Sequence, residues 1–381
     1  MNLPERLQSV RKRRGLTQRG LAELSGVSIS LIRKLEQGER DDTRLETLRK
    51  LAKALQVPTS ALITSVAPEE PSEDWGPLRA ALLKQAGQVA EPPTVNGVRQ
   101  ALTASMPLFS NDRYAELARL LPPLLRDADT LGPEGREVRS RLLHHVGWLL
   151  TQTRQFEAAD VALRRALDES SDRLDAAAVV NTRCWLLMRQ GDIGGALALA
   201  TRWADEVEPR ISRATMAELS AWGWLLIRLS TAAVRNNEPG EADDALRLAR
   251  SSAVAMGAEY SPDADFLRAF GPLTVAMKRA ENAMVEDRPD QVISMAEKIP
   301  TRDLRPTSNN RNRHLLDVAK ARVQLRQYTQ AFDVLQGVRG SAPEWIVNQH
   351  YARDIMGTIV TRRRTLSPEM REFAEFIHLD L

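Results

Sequence analysis

Residues 15–38, GLTQRGLAELSGVSISLIRKLEQG, predict two short helices joined by a tight turn. Thr17 and Ser28 stand where the two helices begin, and a hydroxyl there accepts a hydrogen bond from an unpaired backbone N–H. Gly26 and Gly38 stand where the helices end, because glycine readily adopts the left-handed conformation that stops a helix. The apolar residues at helical spacing are expected to pack the two helices together: Leu21, Ala22, Val27, Ile32 and Leu35.

The residues on either side predict further helices. Upstream, Leu3, Leu7 and Val10 form an apolar stripe at helical spacing. Downstream, Thr43 and Glu46 have the spacing of a capping box, which would open a leucine-rich helix. A proline ends that helix, and one short turn is expected to follow it.

The pattern LTQ…LA…GVS…I..LE.G within residues 3–63 resembles the Cro/phage-repressor (XRE) type of helix-turn-helix domain. The resemblance covers about a sixth of the chain. It implies a five-helix DNA-binding domain at residues 1–64, whose second motif helix enters the major groove. Such domains bind operators on double-stranded DNA.

Positive charge is concentrated in this first domain. Residues 1–64 contain 13 Lys and Arg against 7 Asp and Glu, whereas the rest of the chain contains 40 against 43. Contact with DNA phosphates requires such a concentration of positive charge. The composition therefore agrees with a DNA-binding head on an ordinary globular body.

The cysteine and hydropathy patterns favour a cytoplasmic protein. Cys184 is the single cysteine, which excludes an intramolecular disulfide and suits a reducing compartment. It lies within a helical pattern and is expected to be a small buried residue. No apolar run approaches the ~20 residues that span a bilayer, so we expect no membrane association.

The resemblance assigns roles to residues of the predicted DNA-binding domain. Ile29, Ser30 and Lys34 occupy the positions that face base edges, where Lys34 would read guanine and Ile29 a thymine methyl group. Arg33 lies on or near the same face. Contacts that fix the register on DNA phosphates are expected from Gln18, Ser28, Arg11, Arg19, Arg40 and Arg44. Each basic residue also fits a plain solvated surface charge, and the operator sequence does not carry over from the family.

The chain beyond the head divides into a linker and a helical array. Residues 65–97 are rich in proline and acidic residues around one short helix, which is typical of a linker. Residues 98–381 contain degenerate copies of the tetratricopeptide helix pair, of which RQFEAADVALRRAL at residues 154–167 is the clearest match. Small or apolar residues recur at Ala159, Ala196, Ala242, Val292 and Ala331. The predicted fold is therefore all-α, with an XRE-type head followed by an α-solenoid and C-terminal capping helices.

The first helix of each pair is expected to line the concave inner wall of this solenoid. The residues predicted to face a ligand there are His144, Trp148, Asn181, Trp185, Arg189, Trp224, Arg235 and Arg313. Asparagine would pair with a peptide backbone, tryptophan would hold apolar side chains, and arginine would bind a terminal carboxylate. Each tryptophan also fits the core between helices.

These features predict a homodimeric transcription regulator whose repeat domain senses a short peptide or another ligand. The domain order resembles the bacterial RRNPP regulators, whose repeat domains bind signalling peptides, as in quorum sensing. Two alternatives remain, in which the repeats bind a protein partner or serve only as a dimerisation scaffold. The sequence has no nucleophile elbow, no phosphate-binding loop and no metal-ligand spacing, so we expect no enzyme, no cofactor and no metal.

Overall fold

The computed structural model describes residues 3–40, 43–63, 73–83, 92–261, 269–300 and 308–379. Within these ranges the chain forms α-helices, short 3₁₀ turns and one isolated β-bridge between Tyr260 and Phe270. The all-α prediction is therefore confirmed. Residues 65–72 and 84–91 of the predicted linker lie outside the described residues, and the domain boundaries stay predictions.

The described residues of the head form four α-helices and one 3₁₀ turn, and the caps of α2 and α3 are those that the sequence predicted. The helices are α1 (Leu3–Arg13), α2 (Gln18–Ser25), α3 (Ile29–Gln37) and α4 (Leu45–Leu55), followed by the turn Thr59–Ala61. Thr17 Oγ1 accepts from the N–H of Gly20 at 3.0 Å, and Ser28 Oγ caps α3 in the same way. Gly26 and Gly38 have φ angles of 67° and 71°. The two helices therefore begin and end at the predicted residues.

The predicted capping box before α4 is wrong. Arg44 is the N-cap residue of α4, and its side chain makes no capping hydrogen bond. Because the helix begins at Leu45, Thr43 stands one position too early for its hydroxyl to cap the first turn.

The body consists of antiparallel helix pairs followed by three terminal helices. After α5 (Gly76–Leu83), the pairs are α6 (Val95–Ser110) with α7 (Tyr114–Thr130), α8 (Arg136–Gln152) with α9 (Phe156–Glu169), α10 (Arg173–Gln190) with α11 (Ile193–Glu206), α12 (Met216–Arg235) with α13 (Pro239–Met256), α14 (Pro272–Val285) with α15 (Pro289–Ala296), and α16 (Ser308–Gln324) with α17 (Tyr328–Ser341). The terminal helices are α18 (Pro343–Val347), α19 (His350–Arg362) and α20 (Pro368–Phe376). The five recurrent small or apolar residues of the second helices are all buried. Cys184 is buried, as predicted.

The same left-handed turn joins the two helices of every pair. One residue, two positions before the second helix, has a φ angle between 54° and 89°; these residues are Asp112, Arg154, Gly191, Asn237, Asp287 and Arg326. An ordinary residue in this conformation costs roughly 1–2 kcal/mol. Since only one of the six is glycine, the packing of each pair outweighs this cost.

The short helix α5 belongs to the body. Trp75 and Leu78 are buried in the same core as residues of α7 and α9. Arg165 Nη1 donates to the carbonyl of Leu82 at 3.1 Å. The sequence placed this helix in a linker, whereas in the structure it covers the first helix pairs.

The array curls until its two ends touch. The N–H of Ala115 in α7 donates to the Glu344 carboxylate at 2.9 Å, and Asn309 Nδ2 donates to Asp112 at 3.1 Å. Residues of α5–α9 and of α16–α20 share one hydrophobic core. The sequence did not predict this closure, which leaves a partly open cavity between the first helices of the pairs.

Candidate DNA-binding face and ligand cavity

The helix α3 presents one apolar side to the head and one polar side to solvent. Ile32 and Leu35 are fully buried among the other helices of the head. Ser30, Arg33 and Lys34 are exposed. The burial of α3 thus agrees with the side that the sequence predicted to face DNA, with Ile29 half-buried at its start.

The start of α2 borders this side of α3. Residues of both helices line one shallow depression, including Gln18, Arg19, Ser28, Ile29 and Arg33. The Arg19 side chain is 83% exposed and pairs with Glu23 at 3.3 Å. An exposed pair of this kind contributes little to stability, so Arg19 remains available to a phosphate at small cost.

Arg11 does not have the role that the sequence assigned to it. Its side chain is buried, and Nε and Nη2 donate to the two carboxylate oxygens of Glu36 at 2.6 and 2.7 Å. Its Nη1 donates to the carbonyl of Leu16 at 2.8 Å. A guanidinium enclosed in this way cannot reach a phosphate, so the prediction of a phosphate contact is corrected.

Glu36 ties three helices of the head together. Gln18 Nε2 donates to Glu36 Oε2 at 2.8 Å, in addition to the two bonds from Arg11. Burial by itself raises the pKa of the Glu36 carboxyl, but the hydrogen bonds from Arg11 and Gln18 outweigh it and lower the pKa. The charged carboxylate therefore holds α3 to α1 and α2.

The two remaining predicted phosphate contacts lie beyond α3. Arg40 is exposed, just after the end of the helix. Arg44 pairs with Asp354 of α19 at 3.0 Å, on the side of the head that faces the body. Because the Arg44 side chain is 67% exposed, this ion pair contributes as little to stability as that of Arg19, and a phosphate contact by Arg44 stays a prediction.

Two left-handed turns of the body hold the head. Asp287 accepts from Arg49 Nη2 of α4 at 2.9 Å, and the Arg49 side chain is buried. Asn237 Nδ2 donates to the Arg49 carbonyl at 3.3 Å and to Thr59 Oγ1 at 3.0 Å. Asn236 accepts from the N–H groups of Thr59 and Ser60, which start the 3₁₀ turn.

The first helices of five pairs and the segment after α17 surround a cavity of about 150 Å³. Five of the predicted ligand residues line it: Trp148, Trp185, Arg189, Arg235 and Arg313. The sequence analysis did not single out the other charged or aromatic lining residues: Arg228, Lys278, Glu281 and Trp345. The i, i+3 spacing of Lys278 and Glu281 on a first helix was the signal that could have found this pair.

Three predicted ligand residues lie deeper and do not line the cavity. His144 bonds to Thr182 Oγ1 at 2.7 Å, Asn181 Oδ1 accepts from Arg228 Nε at 2.7 Å, and Trp224 packs against Phe270. Each stands one helical turn before a lining residue on the same helix. The predicted helix faces are therefore right, but the cavity lies only at the carboxyl ends of these helices.

Glu281 is the centre of a buried charge cluster in this cavity. Its carboxylate accepts from Lys278 Nζ at 2.8 Å and from Arg235 Nη2 at 2.7 Å. Burial alone raises the pKa of Glu281, yet the cations Lys278 and Arg235 outweigh it and hold the pKa well below its usual value. Burial lowers the pKa of Lys278, although Glu281 opposes that effect.

A second cavity of about 140 Å³ lies between α4 and the body. Arg49 of α4 and its ion-pair partner Asp287, from the body, line this second cavity next to the head. Arg235 and Arg313 line it on the other side, and both also line the first cavity. The guanidinium groups of Arg235 and Arg313 therefore lie between the first cavity and the docked head.

Two buried groups in α16 titrate in opposite senses. Burial and the nearby Glu281 raise the pKa of Asp317 from 3.8 to about 6. Burial and the nearby Lys278 lower the pKa of His314 from 6.5 to about 4. Between pH 4 and 6 the folded state holds the extra proton at Asp317, whereas the unfolded state holds it at His314. Their contributions to the pH dependence of stability therefore oppose each other.

We expect Asp317→Asn to remove one of these two opposing contributions. The free energy of unfolding of the variant, relative to the parent, should rise as the pH increases from 4 to 6, by at most ~1.4 kcal/mol per pH unit. Urea unfolding at several pH values measures this difference. Asp333→Asn, on the exposed side of α17, is the matched control and should run parallel to the parent. A parallel curve for Asp317→Asn would contradict the titration of Asp317.

Arg11→Ala should destabilise the head, because the buried Glu36 carboxylate loses its cation and keeps only the hydrogen bond from Gln18 among those described above. Loss of one partner of a buried ion pair costs roughly 3–5 kcal/mol. Amide hydrogen exchange over residues 18–37 reports the change, and Arg13→Ala, at the exposed end of α1, is the control. If Arg11 were instead a phosphate contact, exchange would stay at the parent level and only DNA binding would fall.

Asn237→Ala should loosen the contact between head and body. The variant loses two hydrogen bonds to the head, and at about 1 kcal/mol each their loss should speed amide exchange over residues 45–62 by about tenfold or more. Arg326→Ala makes the same kind of substitution in an equivalent left-handed turn and controls for backbone strain. Equal exchange in the two variants would show that Asn237 does not hold the head.

The described residues contain neither a grouped metal-ligand set nor a membrane-spanning helix. Across residues 3–40, 43–63, 73–83, 92–261, 269–300 and 308–379, no three His, Cys, Asp or Glu side chains are grouped as metal ligands. No helix in those ranges is long and apolar enough to cross a membrane.

Comparison with known proteins places the head in a family. Residues 7–62 match the Helix-turn-helix family model. A curated relative, the HTH-type transcriptional repressor RghR of Bacillus subtilis (strain 168), is 41% identical over 59 residues, which cover 16% of this chain and 44% of that protein. The chain therefore matches less than half the length of this relative.

A solved structure resembles the chain over a longer span. PlcR of Bacillus thuringiensis, in complex with the peptide PapR7 and DNA, gives a TM-score of 0.38 at 14% identity, covering 78% of this chain and 97% of that one. The family match and the capped helices α2 and α3 together show that the head is a helix-turn-helix domain of the XRE type.

Proposed function

We propose that this protein is a transcription regulator that binds a DNA operator through α3 and responds to a ligand in its repeat domain. The exposed side of α3 carries the proposal, because Ser30, Arg33 and Lys34 face solvent on a helix whose other side is fully buried. The XRE-type domain and a relative named as a transcriptional repressor support it.

On DNA, Ile29, Ser30 and Lys34 would meet base edges in the major groove. A lysine there reads guanine, and an isoleucine contacts a thymine methyl group. Arg19 and Arg33, on the same side of the head, would bind the flanking phosphates and fix the register.

A homodimer fits this mode of binding. One recognition helix reads only a few base pairs, so helix-turn-helix proteins pair two of them on half-sites about 34 Å apart. We therefore propose that the operator is palindromic and that the repeat domain sets the spacing of the two heads.

The repeat domain would act as the sensor through the groups that the two cavities share. Arg235 and Arg313 border both the first cavity and the second cavity beneath α4. A ligand that draws either guanidinium toward the first cavity changes the surroundings of the Arg49–Asp287 pair, which holds the head. Such a ligand shifts DNA affinity only if it binds the docked and released heads unequally. A short peptide is the ligand class that the domain order favours.

Lys34→Ala tests the assignment of α3. Genomic fragments selected by the purified parent protein supply the operator, and fluorescence anisotropy measures its affinity at fixed salt. If Lys34 contacts a base, the variant should lose roughly 1–3 kcal/mol of specific binding and tolerate changes at one operator position.

Lys53→Ala is the control for this experiment. Lys53 is exposed on α4, outside the depression formed by α2 and α3. The substitution Lys53→Ala removes the same charge as Lys34→Ala but lies outside the proposed interface. If both variants lose equal affinity, or if the parent ignores duplex DNA at low salt, α3 is not the reading helix.

A further inference from the structure

We infer that the first cavity, between the first helices of the pairs, binds an oxyanion carried on a ring-sized apolar group. The inference names the ligand class of the sensing domain. It rests on the proposed function only in supposing that this ligand affects DNA binding.

The cavity has an excess of positive charge. Its cationic lining residues are Arg189, Arg228, Arg235, Lys278 and Arg313. Glu281 is the acidic residue among the lining residues, and Asp317 lines the adjoining cavity next to Arg313. Five cations and one carboxylate therefore line the first cavity. A cleft lined by an excess of one sign of charge attracts ligands of the opposite sign, so this lining favours an anion.

The acidic residue of the cavity is already occupied. One oxygen of Glu281 accepts from Lys278 and the other accepts from Arg235. Arg313 lies over the Tyr351 ring, with 4.7 Å between its Cζ and the ring centroid. Since an ammonium has three N–H donors and Glu281 accepts one of them, Lys278 can hold Glu281 and an added oxyanion together.

Trp345 and Asn310 each give the lining a buried nitrogen donor that has no hydrogen-bond partner among the described residues. Trp345 is 2% exposed, lines the cavity, and has no partner for its Nε1. Asn310 Nδ2 is buried and unpartnered in the same lining. A buried donor without an acceptor costs about 1–3 kcal/mol. Both observations point to a ligand that brings oxygen acceptors.

The size and walls of the cavity define the rest of the ligand. Trp148, Trp185 and Met188 supply apolar walls beside the cations. A volume of about 150 Å³ equals that of an engineered apolar cavity that binds benzene. The closed array therefore accommodates one ring-sized group with its oxyanion, which describes both the C-terminal residue of a peptide and a free aromatic acid.

Calorimetric titration of the full chain with matched charged and uncharged probes tests the inference. The small probes are phenylacetate, phenyl phosphate and the neutral phenylacetamide, and the peptide probes are Ala-Ala-Phe with a free or an amidated C-terminus. We expect at least one oxyanion probe to bind ten times more tightly than its neutral partner, and its affinity to fall with added salt. Comparing phenylacetate with phenyl phosphate shows whether the site prefers a carboxylate or a phosphate. Comparing phenylacetate with Ala-Ala-Phe shows whether it prefers a small acid or a peptide C-terminus.

Lys278→Met should weaken binding of the charged probe about tenfold. The control is Arg279→Met, an exposed cation on the next residue of the same helix, which should bind like the parent. Thermal unfolding establishes that Lys278→Met is folded. If it does not fold, the comparison of charged and neutral probes on the parent decides the question.

Equal affinity for charged and neutral probes would overturn the inference, and so would an absence of binding by every probe at millimolar concentration. A folded Lys278→Met that binds like the parent would also overturn it. If an acid binds but leaves operator affinity unchanged, the site stands and the sensing part of the proposed function fails.

Discussion

The left-handed turn inside each helix pair is the constraint on which the rest of the structure depends. Because the turn residue holds the same position in every pair, each second helix folds back on its first helix in a similar way, and the pairs can stack. The stacked array curls until α7 meets Glu344, and the cavity lies inside the curl. Two of the same turns, at Asn237 and Asp287, also bind the head. One local backbone feature thus underlies both the stacking of the pairs and the docking of the head.

The cavity and the docked head lie at the same level of the array. The lining residues of α8, α10 and α12 come from the last turns of these helices, next to the left-handed turns. Arg235 and Arg313 stand between the two regions. A buried cation cannot lose its partner without moving or finding another. A change of charge in the first cavity that moves Arg235 or Arg313 therefore also changes the surroundings of α4.

Sequence reasoning succeeded for most local signals, with the capping box before α4 as the exception, and failed where the outcome depended on distant contacts. The caps at Thr17 and Ser28 and the small residues of the second helices were predicted, because their roles involve neighbours in the chain. The predicted phosphate contact of Arg11 was wrong, because its partner Glu36 is 25 residues away in the chain. The inner helix faces were predicted, but His144 lies below the cavity, since its depth depends on how the array closes.

Closure has a consequence for how the body unfolds. The two ends of the array are joined by the hydrogen bonds of Ala115 with Glu344 and of Asn309 with Asp112, and by one hydrophobic core that α5–α9 share with α16–α20. In an open repeat array each helix pair contacts only its neighbours, so unfolding can start at either end. Here neither end is free, so the first and last helices of the body are expected to unfold in one cooperative step although they lie far apart in the chain.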